Sequence, residues 1–360
     1  MNCCSHCFLD TSLKQMIERS GGNQGNCDFC GTTNTTIVSC GSLSVIFAEL
    51  FDLYTPHPTA IASLKVDAPT LLHEHLLTYW PNLFNPTTLE PKIVKFLVDQ
   101  IGRGGDQYDQ ALFEQPVEFA FVVNGRDEDA AGLELAWESF ADDIKYHNRF
   151  FVNEKVDTEL LESIFERLVL AIPASTEFFR ARLSSAILSP DEMGKPPALL
   201  TTAGRANPVG IPYLYLCNDL KTTLYETRIA LHETVSVARF TNTEPINMVS
   251  LKKIDSLGPF EVMDKQFSLD EFITYRPYLK KLESELSKPV RKQDVHLDYL
   301  PTQYLCEFCK SMGFDAVEYK SSMNPSGSNL ALFNDRKVRC EEVKFYQVND
   351  LNYNWSELLM

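Results

Sequence analysis

The stretch Gly204-Arg205-Ala206-Asn207-Pro208-Val209-Gly210-Ile211-Pro212-Tyr213-Leu214-Tyr215 decides how the back half of this 360-residue chain reads. Its glycines and prolines break any helix and shape a loop. The loop delivers Arg205 and Asn207 just ahead of a strand that carries Tyr213 and Tyr215. Further short apolar runs at 213–217, 235–240, 246–250, 316–319, 330–333 and 343–348 read as strands. Helical patterns alternate with them, the longest at 268–286. Strands and helices mixed in this way predict an α+β fold with a mixed sheet.

Three other pieces place polar side chains in apolar surroundings. Phe178-Phe179-Arg180-Ala181-Arg182 sets an arginine directly after two phenylalanines. Such an arginine snorkels or binds an anion. Thr222-Thr223-Leu224-Tyr225-Glu226-Thr227-Arg228 reads as a short helix carrying Glu226. Residues 319–333 read as strand, loop and strand, with Ser321, Ser322 and Asn329 at or near the turn. Taken singly, each has a plainer reading: an ion pair for Arg180, a solvent-facing Glu226, an ordinary turn at the serines.

The front is organised differently. Six of the ten cysteines fall in the first 40 residues. Cys4-x2-Cys7 and Cys27-x2-Cys30 are two CxxC pairs, 19 residues apart. That spacing predicts a structural zinc held by Cys4, Cys7, Cys27 and Cys30, with Gly31 allowing the tight turn. Cys3, His6 and Cys40 are spare ligands, and Cys3 is an alternative to Cys4. Cys306-x2-Cys309 has helical spacing and no second pair, so it reads as two core thiols. After the knuckle, 43–54, 69–80 and 91–101 read as helices, the first stopped by Pro56-His57-Pro58 and the last followed by Gly102-Arg103-Gly104-Gly105. Residues 156–172 read as one amphipathic helix. The predicted organisation is a zinc segment at 1–42, a helical module at 43–152, a connecting helix at 153–172 and a catalytic domain at 173–360.

The formal net charge is −16. It argues against general nucleic-acid binding. Residues 106–143 hold eleven acidic side chains and one basic one, Arg126, and so account for −10 of that total. A solvated face explains the run, with a surface for a basic partner as the alternative. No apolar stretch approaches a membrane span, and the N-terminus lacks the pattern of a secretory signal. The chain is expected in the cytoplasm, where free thiols are the rule.

In order along the back half, Arg180, then Gly204-Arg205-Ala206-Asn207-Pro208-Val209-Gly210, Tyr215, Glu226, and Ser321 or Ser322 with Asn329 follow a recognisable pattern. The region 173–348 resembles the RES domain family, named for an arginine, a glutamate and a serine. It departs in one respect: the loop often carries Trp before Asn, and here Ala206 stands there. The front is similar to the zinc-bearing helical segment that precedes some RES domains.

The resemblance implies an ADP-ribosyltransferase-like core acting on NAD, often as a toxin restrained by an antitoxin. It implies catalytic roles for Arg180, Glu226 and Ser321 or Ser322. It implies contacts to NAD from Arg205, Asn207, Tyr215 and Asn329. The chemistry suits these residues: a carboxylate stabilises an oxocarbenium-like ribose, an aromatic ring stacks on nicotinamide, and guanidinium groups hold pyrophosphate.

Hydrolysis of NAD is the first reading. Transfer of ADP-ribose to a macromolecule and a non-catalytic zinc adaptor are the alternatives. A ribonuclease would need Arg and His at helical spacing, and Arg291-x4-His296, inside the RES-like half, is a weak match. The front module is left as a cap, a sensor or an element of a homo-oligomer.

Overall fold

The computed structural model describes residues 1–56, 70–104, 108–120, 127–153, 155–288 and 295–350. His57, Gly105, residues 106–107 and 121–126 of the acidic stretch, and Arg291 lie outside the described residues. The fold is α+β. Contacts divide it into two units, Met1–Glu134 with Lys253–Tyr278, and Leu135–Lys252 with Leu279–Met360. By contacts, residues 253–278 group with the N-terminal unit.

The first unit opens on a small antiparallel sheet of β1 (Asn2–Cys4), β2 (Asn23–Gly25) and β3 (Thr35–Ser39), in the order β1-β3-β2. Between β1 and β2 lies α1 (Thr11–Arg19). Asp10 starts this helix by accepting the Leu13 N–H. Ser39 caps α2 (Cys40–Phe51) in the same way. The helix expected at 43–54 ends at Phe51, since Tyr54 already belongs to β4 (Tyr54–Pro56). Next come β5 (Thr70–Leu71), α3 (Leu72–Tyr79), α4 (Pro91–Gly102), α5 (Ala111–Glu114) and β6 (Pro116–Phe119). Pro91 sits at the first helical position of α4, where its missing N–H costs nothing. Strands β4, β6 and β5 form a second three-stranded sheet.

Helix α6 (Asp127–Tyr146) carries the acidic residues from Asp127 to Asp143 and buries Trp137, Phe140 and Ile144. Helix α7 (Thr158–Arg167) buries Leu161, Ile164 and Phe165. The predicted helix over 156–172 stops there: Val169–Ile172 is β7, paired antiparallel with β11 (Ile246–Ser250). A short apolar run with β-branched residues satisfies either pattern, and the open sheet edge decides it.

The second unit is built on one mixed sheet of eight strands. Besides β7 and β11, it contains β8 (Glu177–Leu183), β9 (Leu214–Cys217), β10 (Thr234–Asn242), β12 (Ala316–Lys320), β13 (Ser328–Leu332) and β14 (Val338–Gln347). The order is β14-β10-β8-β9-β13-β12-β11-β7, with β11 and β12 parallel and every other pair antiparallel. Helix α8 (Leu220–Glu226) follows β9; α9 (Pro259–Asp264) lies in the first unit. Helix α10 (Leu269–Ser287) starts in the first unit and ends in the second. Helices α11 (Val295–Asp298) and α12 (Leu300–Ser311) complete the set.

Alternation along the strands sorts the sheet's two faces. Leu214 and Leu216, Ala238 and Phe240, Ile246 and Met248, and Leu330 and Leu332 share one apolar core with Phe178. The residues between them, including Tyr215, Cys217 and Asn329, take the other face. There Val235, Val237 and Ile229 pack with Leu220 and Leu224 of α8.

Candidate active site and thiol cluster

Asp219 starts α8 by accepting the Thr222 N–H at 2.8 Å. This cap fixes the short helix and brings Glu226, at its last turn, over the β13 strand. Glu226 Oε1 accepts two hydrogen bonds, from Ser321 Oγ at 2.6 Å and from Asn329 Nδ2 at 2.8 Å. Oε2 makes none among the described residues. Ser321 is itself held: its Oγ accepts the N–H groups of Met323 and Asn324, both at 3.1 Å. Ser321 is 5% exposed, whereas Ser322 is exposed. Of the two candidate serines, Ser321 is the one that touches Glu226.

The amide of Asn329 is oriented from behind. Cys217, its register partner on β9, donates its thiol to Asn329 Oδ1 at 3.3 Å. Burial pushes the Cys217 thiol up to about 12, so it stays a neutral donor. With Oδ1 occupied, Nδ2 faces the carboxylate. The serine loop is seated on α8 by Asn324 Nδ2, which donates to Thr222 Oγ1 at 2.7 Å. A side chain at Gly327 would run into the Thr222 side chain. Cys217, Thr222 and Asn324 were not legible as site residues. The Asp-x-x-Thr cap at 219–222 was the available signal.

The 204–215 loop is built as a tied turn. The Tyr215 hydroxyl donates to Asn207 Oδ1 at 2.7 Å and accepts the Ala206 N–H at 3.1 Å. Asn207 Nδ2 donates to the carbonyls of Thr202 and Pro208. A Cβ at Gly204 would collide with both Asn207 Oδ1 and the Tyr215 hydroxyl, so only glycine fits. Gln303 of α12 clamps the loop by donating to the carbonyls of Gly204 and Asn207. Arg205 Nη1 donates to the carbonyls of Leu286 and Lys288, each at 2.6 Å, and so caps the C-terminal end of α10. The polar atoms that Asn207 and Tyr215 offer are thus bonded within the protein, and Arg205 is engaged at a helix end.

Arg180 sits elsewhere. In register it pairs with Ala238, and alternation sets it on the face of Phe178, not the face of Asn329. The structure therefore does not bring Arg180 against Glu226. Strands β8 and β9 share a single paired position, Phe179 with Cys217. Across this opening Arg180 Nη1 donates to the Tyr215 carbonyl at 3.1 Å. Its buried Nε has no partner among the described residues. Arg182, two residues on and on the same face, donates to the Gly194 carbonyl at 2.7 Å, and its buried Nε likewise has no partner among the described residues. Burial, with Arg182 close by, pushes the Arg180 guanidinium down to about 10. It remains charged at neutral pH. Two neighbouring half-buried arginines, each with a buried Nε, form no ion pair among the described residues, an arrangement suited to an anion. Arg182 was missed as a site residue, although its i, i+2 spacing from Arg180 on a strand was visible.

In the first unit, the side chains of Cys4, Cys7, Cys27 and Cys30 gather so that all four sulfur atoms lie within 4.8 Å of one another. Cys4 to Cys30 is 3.5 Å and Cys7 to Cys27 is 3.4 Å. A tetrahedral zinc with bonds of about 2.3 Å sets sulfur atoms about 3.8 Å apart, so the four thiols fit such an ion. Gly31 takes φ of +71° just after Cys30, a conformation that favours glycine. Cys3 is buried and interacts with Cys40 instead. Cys306 and Cys309 are both buried core thiols of α12.

The mixed sheet, the Glu226–Ser321–Asn329 contact and the tied loop define the class. Residues 177–356 match the RES domain, half of the chain, and the chain belongs to the RES domain family. Among solved structures it is similar to a chain of the crystal structure of the M. tuberculosis MbcT–MbcA toxin–antitoxin complex. The identity is 11%, the match covers 53% of this chain and 92% of that chain, and the TM-score is 0.32. No curated protein matches. No helix among the described residues is long and apolar enough to cross a membrane.

Proposed function

We propose that the RES domain hydrolyses NAD at the nicotinamide–ribose bond. The observation that carries this reading is the state of Glu226: Oε1 is pinned by Ser321 and Asn329 while Oε2 is left over. A carboxylate held in this way can face a developing oxocarbenium ion without reorganising. The C1′–N bond breaks, its electron pair leaves with nicotinamide as the neutral base, and water forms the new C1′–O bond. Oε2 orients that water by accepting its hydrogen bond, and the released proton passes to solvent. Arg180 and Arg182 suit the pyrophosphate across the β8–β9 opening. The Tyr215 ring serves as an aromatic wall, with Asn207 and Arg205 holding its loop in place.

The catalytic set under this reading is Glu226, Ser321 and Arg180, with Ser321 and Asn329 acting on Glu226. We further propose one structural zinc on Cys4, Cys7, Cys27 and Cys30, bound with no open position for catalysis. The biological role that fits is a cytoplasmic toxin or defence enzyme kept in check by an antitoxin.

The test is nicotinamide release from NAD by the purified full chain, compared with Glu226→Gln. Glutamine keeps an oxygen able to accept from both Ser321 and Asn329, so the fold is retained while the charge is lost. Turnover is expected to fall about 10²- to 10⁴-fold with little change in melting temperature. Labelled NAD with cell extract separates hydrolysis from transfer: free ADP-ribose supports the first, a labelled macromolecule the second. A wild type that leaves NAD intact under both conditions refutes the enzymatic reading.

A further inference from the structure

The first unit contains a second polar cluster that the proposed NAD chemistry does not use. Tyr54, His75, Tyr79, Trp80 and Phe119 form an aromatic box, with Arg276 from α10 set over two of its rings. His75 and Phe119 meet edge to face at 4.8 Å between centroids, as do Tyr79 and Phe119 at 4.9 Å. Tyr54 stacks on Phe119 at 5.1 Å. The Arg276 guanidinium carbon lies 4.7 Å from the Tyr79 ring centre and 5.7 Å from that of Trp80.

The polar atoms of this box are unsatisfied. Tyr54 Oη, His75 Nδ1, Trp80 Nε1 and Arg276 Nε are all buried, and among the described residues none has a partner at normal hydrogen-bond geometry, although the Trp80 indole N–H lies toward the Tyr54 hydroxyl. Tyr54, Trp80 and Arg276 are at most 7% exposed. Arg276 Nη1 reaches the Tyr79 carbonyl at 2.9 Å, but the guanidinium forms no ion pair among the described residues. Four orphaned polar atoms in one place are unusual, since buried polar groups are nearly always bonded to protein, water or an ion. A buried, uncompensated guanidinium is costly, and contacts with ring faces offset only part of that cost.

The inventory of the orphans says what is absent. Arg276 Nε and Trp80 Nε1 can only donate, and the Tyr54 hydroxyl can donate. The group that completes them is an acceptor with negative charge. A carboxylate matches the guanidinium fork and the indole N–H together. The box has its more open side at His75, Tyr79 and Phe119, which are only partly buried. Rings there favour a flat, apolar body behind the carboxylate.

We propose that the first unit binds a small planar aromatic carboxylate, with its carboxylate on Arg276, Trp80 and Tyr54. The site is independent of the RES-domain reading, so either can fail alone. Benzoate is the probe and benzamide its neutral counterpart. The full chain, labelled with ¹⁵N, is titrated while the indole N–H signal of Trp80 is followed, identified by its loss in Trp80→Phe. Benzoate is expected to shift that signal and raise the melting temperature, and benzamide to do neither at the same concentration. Arg276→Met is expected to abolish the benzoate response while the ligand-free protein melts no lower, because an apolar side chain replaces an uncompensated charge. Should that variant not fold, Trp80→Phe keeps the packing and deletes one donor, weakening benzoate by about tenfold or more in the melting assay. A folded wild type that responds to neither probe, or equally to both, overturns the proposal.

Discussion

Ser321→Ala separates two adjacent serines that sequence cannot tell apart. Ser321 Oγ makes three hydrogen bonds: it donates to Glu226 Oε1 and accepts from the backbone N–H groups of Met323 and Asn324. A bond to an ionised group is worth about 1.5–3 kcal/mol net, and each neutral one about 0.5–1.5 kcal/mol. The Met323 N–H lies in an exposed residue, where water can replace the lost partner. The Asn324 bond is buried, so its N–H is left without one. The expected destabilisation is roughly 2–4 kcal/mol, or about 5–15 °C in melting temperature for a domain of this size. Ser322 is exposed, and Ser322→Ala should stay within about 0.5 kcal/mol of wild type. On the proposed NAD reaction Ser321 acts through Glu226, so kcat for nicotinamide release should fall while KM changes little. Ser321→Thr, which restores a hydroxyl, should recover part of that loss. The measurements are urea unfolding and steady-state NAD turnover on both alanine variants. If Ser321→Ala matches wild type in both while Ser322→Ala does not, the hydrogen-bond reasoning fails.

Two further outcomes follow from the first unit. Metal analysis of the purified chain should find one zinc per chain, lost in Cys4→Ser and retained in Cys3→Ser; retention in Cys4→Ser would remove Cys4 from the ligand set. Asp10, 0% exposed, accepts N–H groups from both α1 and α9, yet burial pushes its carboxyl up to about 6 from 3.8. The folded chain then binds this proton more tightly than the unfolded chain. Stability from this group falls as pH rises from about 4 to 6, by of order 3 kcal/mol, and the cost is fully present above about 6. A ¹³C titration that places the Asp10 carboxyl near 4 would contradict this.

Local features were legible in the sequence. The paired CxxC spacing fixes four thiols near one point, because each turn needs only four residues. Short apolar runs marked six of the eight strands of the large sheet, since a strand needs only a few β-favouring residues. The family order of residues named Glu226, the serine pair and Asn329, and the structure brings Ser321 and Asn329 onto Glu226. What was not legible depends on partners far along the chain. Arg205 reads as an anion binder until Leu286 and Lys288, more than eighty residues later, bring it a helix end to cap. Residues 169–172 read as helix until β11 offers an edge. The box around Arg276 draws on positions from 54 to 276, and no local pattern joins them.

The placement of Arg180 shows how one such non-local fact changes a mechanism. A linear motif invites an arginine beside a glutamate on one surface. The register with β10 fixes Arg180 on the face of Phe178 and Ala238, and that of β13 with β9 puts Asn329, which holds Glu226, on the other. The two chemistries can serve one elongated substrate only where the sheet is open between them. On the proposed reading, that place is the single paired position between β8 and β9. The net charge of −16 does not weigh against a phosphate there. Exposed charges beyond about 8 Å are screened at physiological salt, whereas buried ones are screened far less. On the proposed reading the local field is therefore set by Arg180 and Arg182, and an acidic exterior does not exclude an anion there.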